Sequence, residues 1–450
     1  MRSRVTTFVL FAIAGAALLA AVQPTQNAAV AFTHVNVVPM DRERVLRDWT
    51  VVTRDGNIFA AGPSRDVGVP PGAVTVDGTG KYLIPTLAEM HAHIPPGDNV
   101  PDSAIERTLF MYAANGVGTI RGMLGHPRPL GYRARAARGD IFSPTIYTSG
   151  PSLNGNSTPT PEAAVTLVTE EKKAGYDFLK IHPGLSMATF DAMAETAGRL
   201  GMRFAGHVPA GVGLQRALDA KYLTIDHLDG YVEALAGARA GDPPSEWFGL
   251  NLVDRVDEQR IPDLVRATKK AGTSMVATEI LLENTAGDDS AETLAARPEM
   301  KYATPEQVKT WSANKARFLE TPAARRQRFI AIRRKLIKSL FDGGVPFLLG
   351  SDAPQIWNIP GFSIHRELQV MVASGLTPFE ALQTGTTNVA KFFGTAERTG
   401  RIGVGRRADL VLIDGNPLED IRNTAKISGV MLGGRWMARD EIQRRLDSGT

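Results

Sequence analysis

The chain has 450 residues, 43% of them hydrophobic, and its 51 Lys and Arg nearly balance 47 Asp and Glu, leaving a net charge of +4. The basic residues are too dispersed for a nucleic-acid surface; the densest groups, Arg325-Arg326, Arg333-Arg334-Lys335 and Arg444-Arg445, fall on helical stretches and read as solvated faces. With no cysteine, disulfides, Cys-ligated zinc and thiol nucleophiles are all excluded, which leaves His, carboxylate or Ser chemistry.

In chain order, Arg2 and Arg4 precede an apolar run from Val5 to Val22, the layout of a secretory signal. We expect a signal peptide over residues 1–22 and a secreted or periplasmic protein with no stable membrane insertion after signal removal. An uncleaved anchor is the alternative, because the run is near the ~17-residue lower limit for a spanning helix. Residues 30–82 then read as short strands, with Asp55-Gly56 marking a hairpin between β-rich runs. Ala408–Gly415 and Gly429–Met437 repeat that style near the other end. Neither piece can bury a core alone, so residues 30–82 and 400–440 are expected to form one composite β-sandwich.

Between them, residues 83–399 alternate strand and helix. The expected strands are Leu83–His93, Gly118–Arg121, Thr145–Ser149, Phe178–His182, Arg203–His207, Tyr222–His227, Ser274–Thr278 and Pro346–Ser351. Ser186–Leu200 has a Ser cap and apolar spacings of three and four, the pattern of a helix with one buried stripe; Gly211–Ala220, Ile261–Ala271, Arg325–Phe341 and Thr377–Phe393 read similarly. The fold class is therefore α/β: a (β/α)8 TIM-type barrel inserted into a small β-sandwich formed by the N- and C-terminal segments.

The chemistry lies at the strand ends. His91 and His93 are two apart in an extended run, so they share a face with Cα atoms roughly 6.5 to 7 Å apart, and both imidazoles can reach one metal ion. Four later apolar runs end in Lys180 and His182, in His207, in His227 and in Asp352. These are the C-terminal ends of barrel strands, where barrel active sites are built. His91, His93 and Asp352 would hold one ion, His207 and His227 another, with Lys180 between them. An ammonium about 4 Å from a dication is repelled by roughly 8 kcal/mol at an effective dielectric of 20. Lys180 must therefore point away or change its chemistry.

In order and type, His91-Ala92-His93, Lys180, His207, His227 and Asp352 resemble the amidohydrolase superfamily, in its prolidase-like and imidazolonepropionase-like branch. The segment Gly400–Val411 resembles that family too. The likeness implies a hydrolase with two divalent ions, zinc by preference, bridged by an N6-carboxylated Lys180, and a bridging hydroxide as nucleophile. Burial lowers a lysine's pKa, and the neutral amine can add carbon dioxide. Carbamate, Asp352 and hydroxide would then bring two dications to about +1. Asp352 is expected to be ligand, general base and general acid in turn, and His227 to serve partly as an oxyanion partner.

Tyr231 resembles a position used by the family for substrate hydrogen bonding, with a wet rim hydroxyl as the alternative. His182 is expected to face substrate or to be satisfied polar packing, and His365 to be structural or to support the ligands. His34 and His126 read as surface residues. Arg121 lacks the acidic neighbour that relatives carry, since Gly122 stands there, which leaves an arginine-carboxylate brace in doubt. Ile94–Asp102, Gln355–Pro360 and Leu281–Thr321 should gather at the barrel mouth, the last as a partly helical lid; Trp357 is either a pocket wall or packing beneath that lid. The expected reaction is hydrolysis of an amide bond in a small molecule of dipeptide or N-acyl amino acid type, with homo-oligomerisation left open. A cyclic amide, lactone or organophosphate hydrolase would use the same site. A deaminase is disfavoured, because His207-Val208-Pro209 has no adjacent acidic shuttle. The alternative from another class is an exported binding or scaffold protein with a degenerate barrel.

Overall fold

The computed structural model describes residues 29–238 and 244–449, so the expected leader at 1–22 lies outside the described residues. Strands β1 (Val30–Val37), β2 (Leu46–Arg54), β3 (Asn57–Pro63), β4 (Val74–Asp77) and β5 (Tyr82–Pro85) come first. Asp55 and Gly56 both take positive φ, 50° and 77°, as a tight two-residue hairpin between β2 and β3 requires. Seven short strands follow: β6 (Leu87–Ala92), β7 (Val117–Gly122), β8 (Thr145–Thr148), β9 (Leu179–Ile181), β10 (Phe204–Gly206), β11 (Thr224–Asp226) and β12 (Ser274–Val276). The chain closes on β13 (Leu410–Ile413), β14 (Ile427–Leu432) and β15 (Arg435–Ala438).

The terminal segments do come together. β5 pairs antiparallel with β13, and hydrogen bonds join the eight strands into one sheet of order β15-β14-β13-β5-β1-β2-β3, with β4 beside β1. The bonding traces one sheet rather than two separate ones, but that sheet is not flat. Phe32 on β1 and Trp436 on β15 meet edge to face with ring centroids 5.0 Å apart. Four strand spacings would hold them about 19 Å apart in a plane, so the sheet rolls over its own core. Alternation along β13 explains its unbroken apolar run. Leu410 and Leu412 enter the core of the rolled sheet, whereas Val411 and Ile413 enter the main core.

In the middle segment β6-β7-β8 and β9-β10-β11-β12 are two parallel arcs, each strand followed by helix, giving an α/β fold consistent with a TIM-type barrel. Single bridges Ser149–Phe178 and Leu153–Ile181 join the arcs on one side. Two expected strands need correction. Leu83–His93 is not continuous: it breaks at Thr86, whose N–H donates to Asp409 O, and β5 and β6 belong to different sheets. Pro346–Ser351 forms no regular strand, only bridges Met275–Phe347 and Ala92–Ala353. The reason is Glu89, whose buried carboxyl Oε1 accepts Ser351 N–H at 2.8 Å and His91 N–H at 3.0 Å, taking donors that a ladder would have used.

Most expected helices stand, Ile261–Ala271 with both ends unchanged, and Ser186 Oγ caps Met187–Leu200 at Thr189 N. Thr377–Phe393 is split into Pro378–Gly385 and Thr387–Phe392 at Thr386. The lid segment carries helices at Glu279–Ala286, Ala291–Ala295 and Pro305–Leu319.

The roll of the outer sheet leaves no room at Gly429, where an added Cβ would lie 2.2 Å from the Trp436 ring. Gly429→Ala should push Trp436 off Phe32 and cost about 1–3 kcal/mol, read as a lower urea midpoint with altered tryptophan emission. An unchanged midpoint would contradict this packing.

Candidate active site

All six expected metal-site residues meet in one largely buried cluster at the C-terminal ends of the central strands. His91 ends its strand run with its ring 5.4 Å from that of His93. Lys180, in β9, is fully buried, with Nζ 3.4 Å from His91 Nε2. Its stem passes Gly206, where a Cβ would sit 2.5 Å from Ile181 O and 2.9 Å from Lys180 Cδ. Only glycine fits there. His207 and His227 follow β10 and β11 directly, and the His227 ring lies 4.7 Å from His207 and 4.6 Å from His91. Asp352 Oδ1 is 2.8 Å from His93 Nε2 and 3.7 Å from His91 Nε2, and its Oδ2 is 3.8 Å from His227 Nδ1.

This arrangement fits a cation. His93 Nε2 and Asp352 Oδ1 are buried and close, yet the ring N–H is not aligned to bond the carboxylate, so both atoms are without a hydrogen-bond partner. Ligand atoms of His91, His93 and Asp352 all lie within 4.8 Å of one another. A buried unpaired polar atom is costly, and an ion between them would satisfy both. Protonation states agree. Burial and the neighbouring Lys180 charge depress His207 to about 3, and burial holds His91 and His227 well below the ordinary range, so these rings are neutral. Burial also brings Lys180 down to about 8, despite the opposing pull of Asp226 and Asp352.

Around these groups stand supports that the sequence did not single out. Asp229 Oδ2 lies 2.9 Å from His207 Nδ1, and Thr278 Oγ1 lies 2.7 Å from His227 Nδ1, leaving each Nε2 as the free ligand atom. Asp226 Oδ2 is 2.9 Å from His91 Nδ1, though off the line of the ring N–H. Asp226 also receives Arg121 Nη2 at 3.2 and 3.3 Å and Thr224 Oγ1 at 2.7 Å. The brace doubted because of Gly122 therefore exists, with its carboxylate supplied by β11. Arg333 is no solvated residue: it is fully buried, pairs with Glu279 at 2.9 Å, and donates to His227 O at 2.8 Å. Arg326 is likewise buried.

The softer candidates divide. His182 joins the cavity, its ring 5.2 Å from that of His207. Tyr231 does not: it is fully buried, and its hydroxyl pairs with Thr268 Oγ1 at 2.7 Å within the wall. The helix starting at Tyr231 turns that ring outward from β11 into the layer shared with Ile261–Ala271. His365 is structural, bonding Thr424 Oγ1 at 3.0 Å and Asn115 O at 3.1 Å. Trp357 packs beneath the lid, 5.7 Å from Trp311. His34 is exposed beside Asp48, and His126 lies near Asp98.

A further pair was missed. Trp247 and Phe248 both adopt left-handed backbone, φ 43° and 58°. Such conformations cost of order 1–3 kcal/mol each and cluster at functional sites. Here they set the Phe248 ring 5.2 Å from His227 and 6.0 Å from His207.

The model of the amidohydrolase family matches residues 82–437. The curated protein ochratoxinase, from Aspergillus niger, is 36% identical over 90 residues, a stretch that covers 20% of this chain and only 18% of that protein's length. Among solved structures, a bottromycin amidohydrolase superposes with a TM-score of 0.72 at 20% identity, over 94% of this chain and 90% of that one. A Xaa-Pro dipeptidase gives 0.64 at 18% identity over 91% and 100%. The A. niger ochratoxinase structure gives 0.63 at 20% identity over 91% and 95%. A family match across most of the sequence, meeting a fold and a cavity of this kind, places the chain in the amidohydrolase family.

Proposed function

We propose that this protein is an exported, metal-dependent hydrolase that cleaves an amide bond in a small molecule of dipeptide or N-acyl amino acid type. The observation that carries the reading is the facing pair His93 Nε2 and Asp352 Oδ1, buried and without hydrogen-bond partners 2.8 Å apart beside three further imidazoles and a buried lysine. The relatives named as dipeptidase, amidohydrolase and ochratoxinase support that bond type. Export rests on the apolar run after Arg2 and Arg4; among the described residues no helix is long and apolar enough to cross a membrane.

The architecture belongs to the same proposal. Met90 N–H donating to Leu349 O and Leu348 N–H donating to Met275 O support closure of the eight central segments into a (β/α)8 barrel over 83–399. The rolled outer sheet supports a β-sandwich-like domain from 30–82 and 400–440.

In this reading His91, His93 and Asp352 hold one divalent ion, His207 and His227 a second, zinc by preference, and Lys180 stands between. When bound, the ions would supply Lewis acidity and an acidified water. Lys180, brought to about 8 by burial, presents a neutral amine fraction. That nitrogen can bond the carbon of CO2 and lose a proton, giving a carboxylated side chain with two oxygens. Asp352 takes the proton of the attacking water on its carboxylate and delivers it to the leaving nitrogen. Asp229 and Thr278 keep His207 and His227 in the tautomer that exposes Nε2. His182 reaches toward substrate at the mouth, and Phe248 screens the rings from bulk water.

Metal analysis of the mature protein should give about two equivalents per chain, with chelation abolishing turnover; no bound metal would favour a non-catalytic scaffold. Asp352→Asn should retain most metal and lose about 10²–10⁴-fold in kcat, and a near-native rate would remove Asp352 from proton transfer. Asp226→Asn should lower metal affinity about 10–100-fold by unseating His91 and Arg121, measured by competition with a chromophoric chelator; unchanged affinity would contradict that support. A panel of dipeptides, N-acyl amino acids, cyclic imides, lactones and phosphotriesters tests the bond type, since turnover of only the last two would overturn it.

A further inference from the structure

Helix Glu279–Ala286 reaches both halves of the ligand cluster. Just before it, Thr278 Oγ1 lies 2.7 Å from His227 Nδ1. From its far end a chain of buried amides runs to Asp352. Asn284 Nδ2 donates to Asn358 Oδ1 at 2.9 Å, and Asn358 Nδ2 donates to Ser351 O at 2.6 Å. That oxygen belongs to the peptide that enters Asp352. Arg297 Nη1 closes the chain at the other end, donating to Asn284 Oδ1 at 2.8 Å. A guanidinium only donates and a carbonyl only accepts, so the two ends force the orientation of both amides between them. Asn284, Asn358 and Ser351 are all fully buried.

The chain starts from a fixed base. At the head of the helix the Glu367 side chain accepts Glu279 N–H at 3.0 Å and Ile280 N–H at 2.7 Å. At its end the buried Lys315 Nζ donates to the carbonyls of Asn284, Thr285 and Gly287 at 2.9, 3.1 and 2.7 Å. Asn358 is also held by its own turn, where its N–H donates to Gln355 O at 3.0 Å, and its neighbour Trp357 packs on Trp311. Asp352, by contrast, sits at φ 62°, a left-handed backbone that a non-glycine residue keeps only where its surroundings enforce it. Its Oδ1 has no hydrogen-bond partner to steer the side chain, so the backbone on either side must set the aim. After Asp352, Ala353 O accepts His93 N–H at 2.8 Å and the Tyr112 hydroxyl. Before it, Ser351 O is taken by Asn358.

We propose that Asn358, anchored by Asn284, is a positioning residue that fixes the peptide entering Asp352 and thereby aims its carboxylate toward His91 and His93. Helix Glu279–Ala286 then sets the spacing of the two ion positions, through Thr278 at one and Asn358 at the other. The role rests on the reading of Asp352 as a metal ligand, and its test needs no turnover. Cobalt affinity of the full chain would be measured by competition with a chromophoric chelator. Anomalous peak heights at the cobalt edge, in crystals equilibrated at limiting metal, would assign each equivalent to its ligands. Asn358→Ala should weaken the ion at His91, His93 and Asp352 about tenfold or more and leave the ion at His207 and His227 at its parent affinity. Asn284→Ala should weaken the same ion, and because the two amides act as one unit the double variant should match Asn358→Ala within about twofold. Far-UV circular dichroism would confirm folding; should Asn358→Ala not fold, Asn284→Ala, which leaves the bond to Ser351 O in place, carries the same comparison of the two ions. Equal weakening of both ions would reduce Asn358 to general support of the fold, and unchanged affinity at Asp352 would equally overturn the positioning role. Additive losses in the double variant would overturn the part given to Asn284. A parent protein that binds no cobalt would overturn the metal reading itself and this role with it.

Discussion

The rest of the structure depends on confining several imidazoles, a lysine and a carboxylate in a largely buried cluster at the strand ends. Burial, reinforced by the neighbouring positive charge of Lys180, drives His91, His207 and His227 to the neutral state, and burial weakens the hold of Lys180 on its proton. It also leaves His93 Nε2 and Asp352 Oδ1 facing one another without a hydrogen bond. Such a cluster is a poor core and a good ligand cage. The second layer shows why it does not collapse: Asp229, Thr278, Asp226 and the Arg333 bond to the His227 carbonyl fix ring orientations from behind.

Backbone choices follow from the same demand. His227 and Asp352 sit at φ 63° and 62°, in the left-handed region, immediately past their strand segments. The tips of the strands are thus bent to aim side chains, while Gly206 keeps the lysine channel open. Glu89 gives up ladder hydrogen bonds at the seam between β6 and the 346–353 segment. In exchange it pins the amides of His91 and Ser351, one residue from Asp352. Its carboxyl is pushed up to about 8 by burial, which keeps it protonated over much of the neutral range. With Oε1 accepting both amides, the proton of the neutral carboxyl sits on Oε2, which faces Ser351 Oγ.

What was legible in the sequence was what alternation and strand ends encode. His91 and His93 share a face because strand side chains repeat every second residue, and Lys180, His207 and His227 each close an apolar run. Glu89 obeyed the same alternation, two before His91, but a lone carboxylate in a run of apolar residues carries no signature of its role. Asp226 was hidden for a similar reason: its partner Arg121 is 105 positions away. Gly122 suggested a missing brace because the sequence cannot show that another strand supplies it. Tyr231 failed on helical geometry, since four residues past His227 the chain has already turned outward. Trp247 and Phe248 lie in an irregular segment where no periodicity marks them, and Arg333 looked like one more charge on a basic helix.

The most direct measurement is a crystal structure of the metal-loaded protein with anomalous scattering collected at the zinc edge. The account predicts one strong peak about 2.0–2.2 Å from nitrogen atoms of His91 and His93 and an oxygen of Asp352, and a second peak against His207 and His227. Density that continues past Lys180 Nζ to join the two would complete the picture. A cavity without anomalous signal, with the His93 and Asp352 side chains hydrogen-bonded to each other, would contradict it.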